Sequence, residues 1–166
     1  RPEGEEISLL VIHNISLPAG QFGTGDVDAL FCGTLDCCKH PSYQDLEGLR
    51  VSSHFFIDRI GRLFQYVSCL DRAWHAGVSS FEGRENCNDF SIGVELEGTD
   101  STPYERVQYE TLARLTDALA EAYPIKYVTG HSMIAPLRKT DPGPAFDWLM
   151  YESLCKTGKP LCFPYV

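Results

Sequence analysis

The chain has 166 residues, of which 43% are hydrophobic and 22% charged. That length favours one domain, and that composition excludes a disordered chain. Fourteen basic residues against 23 acidic ones leave a net charge of −9. This disfavours nucleic-acid and anionic-membrane partners, because both need a positive field.

Ser8 to Ile15 (SLLVIHNI) is an almost continuous apolar run with β-branched residues. It predicts a buried central strand that ends at His13-Asn14. Residues 17–25, rich in Gly and Pro, predict a loop. Asp26 to Phe31 is expected to form one or two helical turns, and 35–48 to be irregular. The runs SHFFIDRI (53–60) and RLFQYV (62–67), joined through Gly61, predict a hairpin. Residues 70–88 read as a long loop, and Phe90 to Leu96 as a second core strand. A helix is expected from Thr102 as N-cap and Pro103 as first residue, with Leu112, Leu115, Leu119 and Ala122 on its buried face. Pro124 should stop it. Lys126 to Gly130 predicts a short strand leading into His131, and Phe146 to Leu154 a last helix. The tail, 156–166, has no usable period. The expected architecture is a single α/β domain over 1–166, with a mixed central sheet flanked by helices.

Seven cysteines stand at 32, 37, 38, 69, 87, 155 and 162. The odd number and the lack of a CxxC pair read as reduced thiols in a cytoplasmic protein. Cys32, Cys37 and Cys38 with His40 are a rival small metal site, although the spacing matches no common zinc pattern. No apolar run approaches the ~20 residues of a membrane span. No signal peptide is visible, and the chain begins with Arg1 and not Met.

Chemistry is expected where strand ends meet loops. His13 closes the first strand, His131 follows a later one, and Asp141 follows it after nine intervening residues in HSMIAPLRKTD. Two imidazoles and a carboxylate suit a tetrahedral zinc with one position left open. The plain alternative is three unrelated structural residues. Glu95 sits inside FSIGVEL and alternates with Glu97, as a solvated edge would also do. Lys139 precedes Asp141 by two residues, which puts both on one face of an extended stretch. Together they suggest a metallohydrolase: an activated water, a carboxylate for its proton and a cation for the oxyanion.

Four stretches carry a closer likeness: VIHNISLP (11–18), LRVSSHFFIDRIGRLFQYV (49–67), RAWHAGVSSFEGRENCNDFSIGVELEGTD (72–100) and GHSMIAPLRKTDPGPAFDW (130–148). In these the chain resembles the AmpD-type N-acetylmuramoyl-L-alanine amidases, zinc enzymes of bacterial cell-wall recycling. The resemblance implies a mixed sheet flanked by helices, shared with phage lytic amidases and animal peptidoglycan recognition proteins. It implies His13, His131 and Asp141 as ligands of one Zn²⁺, Glu95 as general base and acid, and Lys139 as oxyanion stabiliser. It also implies a 1,6-anhydro-muropeptide substrate, cut between the lactyl group and L-alanine. A monomer is expected. Asn14, Arg50, Trp74 and His75 are the candidate substrate-binding residues, while His54 reads as structural. Two positions depart from the pattern. Ser53 stands where lytic relatives often place Tyr, and Asn86 where GRERCNDF has Arg. The alternatives are an amidase acting on intact peptidoglycan, or a recognition module without catalysis, which would be expected to have lost a ligand or Glu95.

Overall fold

The computed structural model describes residues 1–164, so the last two tail positions lie outside the described residues. The elements are β1 (Leu9–Ile15), α1 (Asp26–Phe31), β2 (Phe55–Ile57), β3 (Leu63–Gln65), β4 (Ser80–Phe81), β5 (Arg84–Glu85), β6 (Ser91–Glu97), α2 (Arg106–Ala122), β7 (Tyr127–Gly130), α3 (His131–Ile134) and α4 (Trp148–Leu154). Short 3₁₀ turns cover Pro41–Leu46 and Cys87–Asp89.

Five strands form one sheet in the order β3-β2-β6-β1-β7. β2, β6, β1 and β7 run parallel, and only β3 is antiparallel, paired to β2. The mixed sheet expected from the hairpin and the buried runs is therefore present. The hairpin turn is held by Asp58, whose Oδ1 accepts the N–H groups of Ile60 (3.1 Å) and Arg62 (2.8 Å).

The two faces of the sheet are packed differently. Leu10 and Ile12 of β1 and Ile92, Val94 and Leu96 of β6 join Leu112, Leu115 and Leu119 of α2 and Tyr151 of α4 in one core. Leu9 and Val11 face the other way, into a smaller cluster with Ala76, Cys87, Phe90 and Ile134. One face thus carries α2 and α4, and the other carries loops and the short α3. His13 has the parity of Leu9 and Val11, so it points to the loop side.

Two features of α2 differ from expectation. The helix starts at Arg106, with Glu105 as N-cap, and the Glu105 N–H donates to Gln108 Oε1 at 3.0 Å. This reciprocal pairing fits the start better than Thr102, whose N–H is taken by Thr99 Oγ1 in the preceding turn. Ala122 is exposed, because the helix has turned away from the sheet by its last residue. α4 begins at Trp148 with Asp147 as its cap, two residues later than expected.

Leu112 is fully buried. Leu112→Ala should cost about 2–5 kcal/mol in denaturant unfolding, through lost burial and a residual cavity. Ala122→Ser should stay within about 0.5 kcal/mol of the parent.

Candidate active site

The carboxyl ends of β1, β6 and β7 point into one cleft of about 760 Å³. His13 and Glu95 are direct partners in the β1–β6 register, so their side chains share a face. His131 begins α3 where β7 ends. The loop beyond it returns Asp141 to the same place, closed by Ser132 N–H donating to Asp141 O at 2.9 Å. Gly130 permits this return, since a Cβ there would lie 2.7 Å from Pro142 Cδ. Asn14 braces the loop by donating to Asp100 Oδ1 (2.8 Å) and Pro142 O (3.1 Å).

The result is a triangle. His13 Nδ1, His131 Nδ1 and Asp141 Oδ2 lie 3.0 Å from one another on every side. His131 Nε2 donates to Ala76 O at 3.1 Å, so its Nδ1 carries a lone pair and no hydrogen. With the His13 hydrogen on Nε2, as ligation through Nδ1 requires, all three atoms present lone pairs, and at this distance they repel unless a cation lies among them. A tetrahedral zinc with bonds of about 2.0–2.1 Å separates its ligand atoms by about 3.3 Å, close to the triangle observed. The donor set therefore fits such an ion. Burial lowers His13 to about 4, which keeps its imidazole neutral and available as a ligand.

Glu95 is 8% exposed and lines the cleft. Its Oε2 has no hydrogen-bond partner. Burial raises its pKa well above the usual carboxylate value, Asp141 adds to the rise, and Lys139 opposes it. Glu97, on the same face, is different. Its two oxygens accept backbone N–H groups from Gly23 (2.6 Å) and Arg59 (3.1 Å). Neither carboxylate is on a solvated edge, because β6 is central in the sheet. One is spent on structure and the other is free for chemistry. Lys139 and Trp74 also line the cleft, Trp74 half-exposed under the Arg72 guanidinium.

The remaining candidates separate. His75 lines the cleft, but its Nδ1 is 2.9 Å from His13 Nε2. Arg50 lines an adjoining cavity of about 490 Å³, which shares Leu30, Phe31, Leu46, Leu49 and Val51 with the cleft. His54 is fully buried: Nδ1 accepts Gly93 N–H at 3.0 Å and Nε2 donates to Asp71 O at 3.1 Å. Ser53 is buried beside it and donates to Gly93 O. Asn86 sits at φ 58, a left-handed conformation that Asn tolerates better than Arg. His40 caps a 3₁₀ turn, and among the described residues no metal-like group joins it to Cys32, Cys37 and Cys38. All seven cysteines are free.

Arg138, which no motif in the sequence singles out, also belongs to the site. Its Nη2 donates to Ala76 O (2.9 Å) and Val78 O (2.6 Å). It thereby ties the 70–88 loop to the 131–141 loop, on the same carbonyl that orients His131. Asn88 was also missed; its Oδ1 accepts the N–H groups of His75 (3.1 Å) and Ala76 (2.8 Å). A buried polar residue in NCNDF was the only sequence signal for it.

A mixed parallel sheet that gathers two imidazoles, a carboxylate and a second, unpaired carboxylate at its strand ends defines a hydrolase of the metal-assisted kind. Residues 3–144 match the N-acetylmuramoyl-L-alanine amidase family, Amidase_2, and the chain belongs to it. It is 56% identical over 156 residues to the 1,6-anhydro-N-acetylmuramyl-L-alanine amidase AmpD of Escherichia coli, covering 93% of this chain and 85% of that one. A selenomethionine crystal structure of AmpD superposes with a TM-score of 0.90 at 55% identity, over 94% of this chain and 88% of that one. AmpDh3 of Pseudomonas aeruginosa, solved in complex with anhydromuramic pentapeptide, has a TM-score of 0.69 at 30% identity, over 92% of this chain and 61% of that one.

His54 gives a pH test of the fold around this site. Burial lowers it to about 4, so its charged form is disfavoured in the folded chain. The unfolded chain takes up that proton first. The stability His54 supports is complete above pH ~6.5 and is lost as pH falls toward 4, by roughly 3 kcal/mol. Chemical unfolding of the metal-free protein at pH 7.5 and 4.5 should show the drop, and His54→Gln should reduce it.

Proposed function

We propose that this chain hydrolyses the amide between the lactyl group of 1,6-anhydro-N-acetylmuramic acid and the L-alanine of a stem peptide, as a zinc amidase of peptidoglycan recycling. The carrying observation is Glu95 Oε2, a buried carboxylate oxygen without a partner, in the same cleft as the His13–His131–Asp141 triangle. The substrate class is supported by the similarity to AmpD relatives over most of the chain.

His13, His131 and Asp141 would hold the ion. Zinc, when bound, supplies Lewis acidity and brings the ionisation of water near neutral pH. Glu95 takes the proton of the attacking water at Oε2. It then gives that proton to the alanine nitrogen, which must leave as an amine and not as an anion. A desolvated carboxyl with a raised pKa is suited to both transfers, and a nearby bound cation draws that pKa back toward the working range. The Lys139 ammonium stabilises charge developing on the lactyl carbonyl oxygen, worth about 3–4 kcal/mol for one well-placed donor.

The other cleft residues fit binding roles. Trp74 offers an exposed aromatic face to the anhydro-sugar or the first peptide residues. Arg50, in the adjoining cavity, would meet a stem-peptide carboxylate that runs past Leu49 and Val51. Asn14 acts by holding the Asp141–Pro142 turn, since both hydrogens of its amide are already given. A cytoplasmic location is supported by the seven free cysteines. Among the described residues no helix is long and apolar enough to cross a membrane.

Glu95→Ala should retain zinc by metal analysis and lose about 10²–10⁴-fold in turnover of an anhydro-muropeptide. Unchanged turnover would remove Glu95 from the mechanism. At equal enzyme, the anhydro-muropeptide should be cut much faster than intact sacculi. Comparable rates on both would favour an amidase that acts on the intact wall.

A further inference from the structure

When His13 Nδ1 acts as a ligand, its hydrogen lies on Nε2. That Nε2 is 2.9 Å from His75 Nδ1, which must then be a bare acceptor. His75 carries its own hydrogen on Nε2, 3.2 Å from Ser91 Oγ. The Ser91 hydroxyl has one hydrogen, and Cys87 O takes it at 2.6 Å. A lone pair is all that Ser91 can offer to His75. Only one direction of hydrogen bonding satisfies the whole chain, from His13 through His75 and Ser91 to the Cys87 carbonyl.

We propose that His75 and Ser91 are positioning residues that form a one-way hydrogen-bond relay, fixing His13 as an Nδ1 ligand and setting metal affinity. A hydroxyl alone could not do this, because it can donate or accept. The Cys87 carbonyl, which can only accept, decides the direction. His131 reaches the same end in one step through Ala76 O.

The surrounding chain is shaped for the relay. Ser91, Gly93 and Glu95 alternate on one face of β6, opposite Leu9, Val11 and His13 of β1. A Cβ at position 93 would lie 2.5 Å from His75 Cγ and Nδ1, so the ring needs glycine there. Asn88 fixes the His75 backbone from the loop side. The segment NDFSIGVE thus holds four successive tasks: a loop anchor, a relay hydroxyl, room for a ring and the reacting carboxylate. His75 acts on the reaction through His13 and not by touching substrate.

This inference rests on the metal-site reading, and the two can fail separately. The test measures zinc Kd by chelator competition on the whole chain. Ser91→Ala should weaken zinc by about 10–100-fold, as loss of an outer-shell partner typically does. Ser91→Thr keeps the hydroxyl and should stay within about threefold of the parent. Nitrogen-15 histidine spectra of the zinc-loaded parent should show hydrogen on Nε2 of both His13 and His75. A parent that takes up no zinc overturns the metal site and the relay together. A parent that binds zinc, with Ser91→Ala within about twofold of it, overturns the relay alone. So does hydrogen on His75 Nδ1, a result that needs no variant and no folding control.

Discussion

Three atoms that can ligate one ion, His13 Nδ1, His131 Nδ1 and Asp141 Oδ2, are held 3.0 Å apart. In the ligand form each presents a lone pair to the other two, and they repel until a cation lies among them. The rest of the structure can be understood as what keeps them together. The β1–β6–β7 register sets the heights of His13 and His131. The brace from Asn14 to Pro142 and the Ser132–Asp141 hydrogen bond return the third atom. Preorganised ligands of this kind lower the cost of ordering a site when an ion binds, and they leave the net affinity to the partners behind them.

The sheet divides the work between its faces. The α2 and α4 side buries the larger core. The loop side buries less apolar surface and relies on directed polar contacts. On that side Arg138 ties the 70–88 loop to the 131–141 loop, and Asn88 closes the 70–88 segment on itself. Fewer apolar contacts also make these loops the part expected to open first. The negative net charge takes a local meaning here. The acidic excess is spread over the molecule, while Lys139 brings a cation to the cleft itself.

Glu95 and Glu97 show how much a sequence pattern leaves undecided. They are two residues apart, identical in chemistry and on one face. Backbone N–H groups from Gly23 and Arg59, distant in sequence, satisfy Glu97 and leave Glu95 unpartnered. His75 is a second case. By motif position it is a substrate-binding candidate, and only the fold brings its Nδ1 within 2.9 Å of His13 Nε2. Arg50 is a third, since it falls in the adjoining cavity and not in the cleft. The missed start of α2 has a local cause: Thr102-Pro103 and Glu105-Gln108 both look like helix openings, and the second pair closes on itself.

The sequence by itself determined the strands of the five-stranded sheet, the long helix and the order in which the site residues arrive, while the short β4–β5 pair lies in a segment it reads as loop. Those follow from apolar periodicity, turn residues and short-range chemistry, all of which are local. It also carried the family likeness, because the motif stretches are contiguous. Tertiary structure alone decided which histidine faces a ligand atom and which faces a carbonyl, and which carboxylate keeps a free oxygen. The physical reason is range. A hydrogen bond, unlike a strand period, depends on an atom brought within 3 Å by packing, and that atom stands 118 positions away for His13 and His131.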